Sequence, residues 1–257
     1  TADLCAEAQA HLSLLMVAIA EPPPTGEYAV ELAVEWHALR RKALAEIADK
    51  AERVTQLLGP YGLSFDVASL YEERGSLDDA IGLRAHYSDL VLLDRGLLAT
   101  SAAVAPLVEG ALFKSARPVL VVPAGFAPTV KPKTVIVAWD SGIESARAVQ
   151  SALDLLCRAQ DVRVVLVDPV AADGRNGGEP GADVATYLAR HGLAVTVERI
   201  ASGGLPVADV LRQHAMDVNA DLLVMGAYGH SRLRERIFGG TTRALIDKAE
   251  LPILMAH

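Results

Sequence analysis

Residues 221–242 read DLLVMGAYGHSRLRERIFGGTT. The run Asp221–Met225 is short and apolar, which predicts a buried parallel strand. Thr241–Glu250 reads as a helix with apolar residues at helical spacing. Between them lies a loop punctuated by glycine that carries Arg232, Arg234 and Arg236. It joins the carboxyl end of a strand to a helix N-terminus, the place where an open α/β sheet takes its ligands. Free backbone N–H groups and the helix dipole favour an anion there.

Four matches in the same order divide the chain into two copies of one unit. Lys114–Val122 (KSARPVLVV) matches Lys248–Ala256 (KAELPILMA), and Ser88–Leu93 (SDLVLL) matches Ala220–Met225 (ADLLVM). Gly75–Ile81 matches Gly204–Val210, and Leu4-Cys5 with Ala8-Gln9 matches Leu156-Cys157 with Ala159-Gln160. Each match is weak alone; their shared order is the argument. The Pro- and Gly-bearing stretch Ala124–Lys133 reads as the linker, giving domains at residues 1–125 and 132–257.

The second copy predicts strands at Thr134–Asp140, Val162–Asp168, Ala194–Ile200, Asp221–Met225 and Ile253–Met255. Helices are expected at Glu144–Cys157, Ala182–His191, Pro206–Ala220 and Thr241–Glu250. A polar, glycine-rich loop is expected at Val170–Gly181. Strands alternating with helices specify an α/β fold, a doubly wound parallel sheet in each of two tandem domains. In the first copy, residues 1–9 match the second copy's first helix, so the strand preceding that helix is missing from this sequence. A doubly wound sheet would hold it at the centre, which points to a truncated product or to residues outside this sequence. Tyr28–Leu58 predicts a long amphipathic helix with a solvated charged face at Arg40, Arg41, Lys42 and Glu46.

Composition excludes several function classes. The 257 residues carry a formal net charge of −8, against the basic surface that general nucleic-acid binding needs. No apolar run reaches the length of a membrane span. Cys5 and Cys157 make a disulfide framework implausible and suit a reducing, cytoplasmic setting. Both read as small buried apolar residues on matching helices. The seven histidines show no metal-ligand spacing.

The second copy resembles a universal stress protein domain over almost all of Thr134–His257, and the whole chain resembles a tandem member of that family. The family's nucleotide signature is G-x2-G-x9-G followed by Ser or Thr. Gly226, Gly229 and Gly239 supply its glycines, but Gly240 stands at the hydroxyl position, with Thr241 and Thr242 after it. Either threonine supplies the phosphate contact from the helix start, or Gly240 offers only its N–H. The resemblance implies ATP, with or without Mg2+, as the ligand. It places Asp140 near the adenine or ribose and the end of the second strand, Val167 included, against the base. Arg232 and Arg236 are phosphate candidates. The competing readings are plain turn glycines, an N-cap role for Asp140, solvated arginines and a non-catalytic loop position for His230.

The first copy lacks the signature: Asp94 stands where the second copy has Gly226, and no G-x2-G follows. It is expected not to bind nucleotide. The family's final strands pair across a dimer, so Pro118–Val122 and Pro252–Ala256 are expected to pair within the chain or between two copies. No P-loop lysine, general base or paired carboxylates for a metal stand in the loop, so the resemblance implies at most a slow ATPase. The alternatives are a nucleotide-free interaction scaffold of the same family and an enzyme of a related adenine-nucleotide fold. The latter lacks a catalytic constellation.

Overall fold

The computed structural model describes residues 1–96, 104–170, 178–229 and 240–257. The N-terminal half runs α1 (Ala2–Ala8), β1 (Leu12–Ala20), α2 (Ala29–Leu58), β2 (Phe65–Glu73), α3 (Leu77–Ala85), β3 (Val91–Asp94), α4 (Val104–Glu109) and β4 (Val119–Val122). The C-terminal half runs β5 (Thr134–Ala138), α5 (Ile143–Arg158), β6 (Asp161–Val167), α6 (Ala182–Arg190), β7 (Val195–Ile200), α7 (Val207–Asp217), β8 (Leu222–Gly226), α8 (Gly240–Asp247) and β9 (Ile253–Ala256). The expected strands and helices of the second copy are all present, with ends within three residues of the expectation.

The C-terminal half is a sheet packed on both faces. β5 is its centre, hydrogen-bonded in parallel to β6 on one side and β8 on the other. Its Val135, Ile136 and Val137 are wholly buried. Burial of such a side chain contributes roughly 1.5–3 kcal/mol each. The faces alternate as a strand demands. Val135 and Val137 join the cluster holding Ala148, Ala152 and Leu156 of α5. Ile136 joins the opposite cluster with Leu211 of α7 and Leu245 of α8. Alanines on the buried stripe of α5 let helix and sheet approach closely. Cys157 corrects the sequence reading: it falls off that stripe and is exposed, while Cys5 is buried as expected.

The strand order of the large sheet is β3-β4-β9-β8-β5-β6-β7. All its neighbours are parallel except β4 and β9, which pair antiparallel with Val119 opposite Met255, Leu120 opposite Leu254 and Val121 opposite Ile253. The final strands of the two halves therefore pair within the chain. This joint is buried: Val119, Val121, Ile253, Leu254 and Met255 are at most 1% exposed.

The N-terminal half repeats the order with one gap. β1 and β2 pair in parallel as β6 and β7 do, and β3 and β4 pair in parallel as β8 and β9 do. β5 has no counterpart among the described residues. β1 and β2 form a two-stranded sheet, and β3 ends the seven-stranded one. No helix among the described residues is long and apolar enough to cross a membrane.

Candidate functional site

The parallel strands β5, β6, β7 and β8 end together, and their carboxyl ends carry the residues singled out in the sequence. β8 ends at Gly226, whose backbone presses against the start of α5. A Cβ there would lie 2.5 Å from the Ser145 amide nitrogen and 2.7 Å from the Glu144 carbonyl carbon. No side chain fits, because the neighbour is backbone. Three residues on, a Cβ at Gly229 would lie 2.8 Å from Glu144 Oε2. Neither glycine adopts positive φ. They are needed for close approach rather than for a left-handed turn. The left-handed residue is Tyr228, with φ 61°.

Asp140 follows β5 and braces the turn into α5. Its Oδ1 accepts a hydrogen bond from the Gly142 amide at 2.8 Å, across Ser141 with φ 61°. The N-cap of α5 is Gly142, so Asp140 closes a turn ahead of the helix rather than capping it. The carboxylates of Asp140 and Glu144 both flank Gly142: a Cβ on that glycine would lie 2.9 Å from Asp140 Oδ1 and 3.2 Å from Glu144 Oε2. Glu144 is the neighbour that sequence reasoning did not single out. Its only signal was an acid in the first turn of a helix, a position that the dipole favours anyway.

Val167 ends β6, half-buried, and packs with Ala138, Ile200 and Tyr228 on the core beneath the strand ends. The next residue, Asp168, turns at φ 46°. Its carboxyl is held below the usual carboxylate range by the Ser202 hydroxyl and by the Ser202 amide at 2.9 Å. These contacts fix the rim made by β6 and β7.

α8 opens at Gly240, with Thr241 exposed and Thr242 buried. The two threonines are thereby distinguished. Thr242 Oγ1 accepts from the Tyr228 amide at 3.4 Å and ties the helix start to the glycine loop. Thr241 stands exposed in the first helical turn. Gly239, Arg232, Arg234, Arg236 and His230 lie outside the described residues, so the phosphate candidates among the arginines are not placed.

Tyr228 connects this rim to the other half of the chain. Its ring centroid lies 5.2 Å from that of Phe113, whose ring meets His257 edge-on at 4.5 Å. The His257 Nδ1–H donates to the Ala227 carbonyl at 3.0 Å. Burial, assisted by the negative charge of Glu109, pushes the Tyr228 phenol up to about 12. In the first half, Asp94 is exposed at the end of β3, at the position corresponding to Gly226.

Comparison with known proteins bears on the family and the fold. Residues 131–257 match the model of the universal stress protein family. A universal stress protein of Synechocystis is 28% identical over 144 residues, 54% of this chain and 46% of that protein. The match thus spans less than half the length of that curated relative. Among solved structures, a universal stress protein from Archaeoglobus fulgidus superposes with a TM-score of 0.62 at 16% identity, over 95% of this chain and 85% of that one. A putative universal stress protein from Pseudomonas aeruginosa gives 0.58 at 16% identity, over 98% and 84%. At that identity the likeness is one of fold, and it spans both halves.

Proposed function

Because residues 131–257 belong to the universal stress protein family, we propose that the chain binds ATP at the β8–α8 loop and acts in the stress response. The observation that supports this most is Gly226. Its backbone is pressed against the first turn of α5, so the end of β8 comes close to the start of α5, and α8 opens at Gly240 with the kind of helix start that favours a phosphate. The base would lie toward Val167 and Asp140, and the phosphates toward Gly229, Gly240 and Thr241. Arg232 and Gly239 complete the proposed set. The first half, with Asp94 in place of the first glycine, would carry no nucleotide.

A magnesium ion fits this site only as a companion of the phosphates. The described residues hold no group of three or more His, Cys, Asp or Glu side chains suited to a metal. An ion arriving on a triphosphate needs only one or two carboxylates with phosphate oxygens and water. Asp140 and Glu144, both flanking Gly142, match that donor set. Bound there, the ion would neutralise phosphate charge. Glu144 also yields a test. Without the ion its carboxylate opposes the phosphates, so Glu144→Gln is expected to tighten Mg-free ATP about fivefold, roughly 1 kcal/mol, the size of a unit-charge repulsion across about 4 Å in water. Mg–ATP should tighten less or weaken. Equal changes for both forms, measured by calorimetry, would remove Glu144 from the phosphate site.

The second reading is an interaction scaffold that holds no nucleotide. It is favoured by Gly240, which removes the hydroxyl expected next to the third glycine, and by the Glu144 carboxylate beside Gly229. Denaturing extraction of freshly purified protein separates the two. Adenine nucleotide released near one per chain supports the ATP site. None released, followed by no uptake of added ATP, supports the scaffold.

A further inference from the structure

We propose that Ser64, His11 and Asp66 form a second site, in which a nucleophilic serine takes an acyl group from a small activated ester. His11 stands just ahead of β1, and Ser64 and Asp66 lie 53 and 55 positions further on, at the start of β2. Parallel pairing brings the two segments together, with Leu12 opposite Phe65 and Ser13 opposite Asp66. The Leu12 amide donates to the Ser64 carbonyl at 2.9 Å, which fixes the serine backbone at the first rung of the ladder. Strand alternation then sets His11, Ser13, Ser64 and Asp66 on one face. The site belongs to the first half, at the amino ends of its strands. The proposed nucleotide rim is at the carboxyl ends of the strands of the second half.

The side chains are ordered as the chemistry requires. Ser64 Oγ lies 2.7 Å from His11 Nδ1, and His11 Nε2 lies 2.8 Å from Asp66 Oδ1. Ser13 Oγ donates to the same carboxylate oxygen at 2.7 Å. That hydroxyl, and after it His11, hold the Asp66 carboxyl below the usual carboxylate range, so it is ionised at neutral pH. An ionised carboxylate only accepts. The imidazole therefore carries its proton on Nε2 and donates it to Asp66. In the neutral ring Nδ1 is then an acceptor, and the Ser64 hydroxyl donates to it. Nucleophile, base and orienting acid thus form one chain, the arrangement that activates a hydroxyl. Asp66 is a positioning residue, acting through His11.

In the reaction, Ser64 Oγ attacks the acyl carbonyl carbon and its proton passes to His11 Nδ1. The bond from that carbon to the leaving oxygen breaks, and the alcohol departs with the proton returned by His11. Water, deprotonated by the same nitrogen, then releases the acyl group as a carboxylic acid and restores the Ser64 hydroxyl. The surroundings set the substrate class. The His11 and Asp66 side chains are 51% and 55% exposed, and Ser64 is exposed. A site this open has no walls to grip a large substrate and does not exclude water. It suits a small acyl group with a good leaving group, an activated ester rather than an amide, and slow turnover.

The probe is p-nitrophenyl acetate, added to the 257-residue chain at neutral pH. Nitrophenolate release gives the overall rate, and peptide mass spectrometry of acid-quenched samples gives the acetylated residues. Acetyl-Ser64 is expected to form about a hundredfold faster than acetyl-Ser151, an exposed serine on α5. This comparison is made within the parent protein and needs no variant. His11→Ala should bring Ser64 down to the Ser151 rate. Asp66→Asn removes the obligatory acceptor, so the ring is free to carry its proton on Nδ1, facing Ser64. It should slow Ser64 acetylation roughly tenfold and move the His11 ring nitrogen chemical shifts toward that tautomer. Circular dichroism checks that both variants are folded. No acetyl-Ser64, equal rates at the two serines, or an undiminished rate in folded His11→Ala protein overturns the proposal. An unchanged rate and tautomer in Asp66→Asn overturns the three-residue arrangement.

Discussion

Gly226 and Gly229 look alike in sequence and behave differently in the fold. A methyl at Gly226 meets backbone that cannot move without shifting α5, while a methyl at Gly229 meets the end of a flexible carboxylate. Gly226→Ala is therefore expected to cost about 1–3 kcal/mol of stability, the range for overpacking. Gly229→Ala should cost under about 0.5 kcal/mol. Urea midpoints at matched slope measure both; equal losses would contradict the packing account. Tyr228 gives a pH signature. Its folded phenol titrates near 12, above the unfolded value of about 10. The neutral form is favoured by the fold, so its contribution is complete below pH 10 and is lost as pH rises toward 12. Tyr228→Phe should lose on the order of 1–2 kcal/mol less than the parent between pH 9.5 and 11.5. Parallel losses would show that the phenol is not buried in solution. Tyr228 and Ser141 also mark where sequence reading stopped. Both take left-handed φ without being glycine, and no residue-type preference announces that.

Elements were legible where composition leaves one outcome. Thr-Val-Ile-Val-Ala and Leu-Leu-Val-Met are apolar on both faces, which suits only a strand covered from both sides. The stripe Ala148, Ala152, Leu156 marks the helix that covers one of them. Cys157 was misread because it adjoins that stripe; one residue is about 100° of helix turn. The contact between Glu144 and Gly229 was not legible, since it joins residues 85 apart through the packing of α5 on β8. The joint between halves is a further property of elements. Beside the β4–β9 ladder, Phe113 fills the space between Tyr228 and His257. Phe113→Ala is expected to lower stability by about 1–2 kcal/mol, through lost aromatic contacts and partial burial. Thermal unfolding followed by calorimetry checks this. An unchanged midpoint would mean that the aromatic contact contributes nothing to the joint.

At the scale of the molecule, the internal repeat predicts two α/β units. The structure puts β1 with β2 in one sheet and β3 with β4 in the other, so the sheets are not divided as the repeat is. The repeat also left open whether the final strands pair within the chain, which depends on how two units dock. The C-terminal half thus carries glycines after its β8 strand, and the N-terminal half has Asp94 at the matching place. The division of labour is the central claim: nucleotide in the second half only. Calorimetric titration of nucleotide-stripped protein with Mg–ATP, with GTP as control, tests it most directly. The account predicts saturable binding of ATP at one site per chain, GTP much weaker, and loss of binding in Gly226→Ala/Gly229→Ala protein that remains folded. Two ATP sites per chain, no binding of ATP, or undiminished binding by the folded double variant would contradict it.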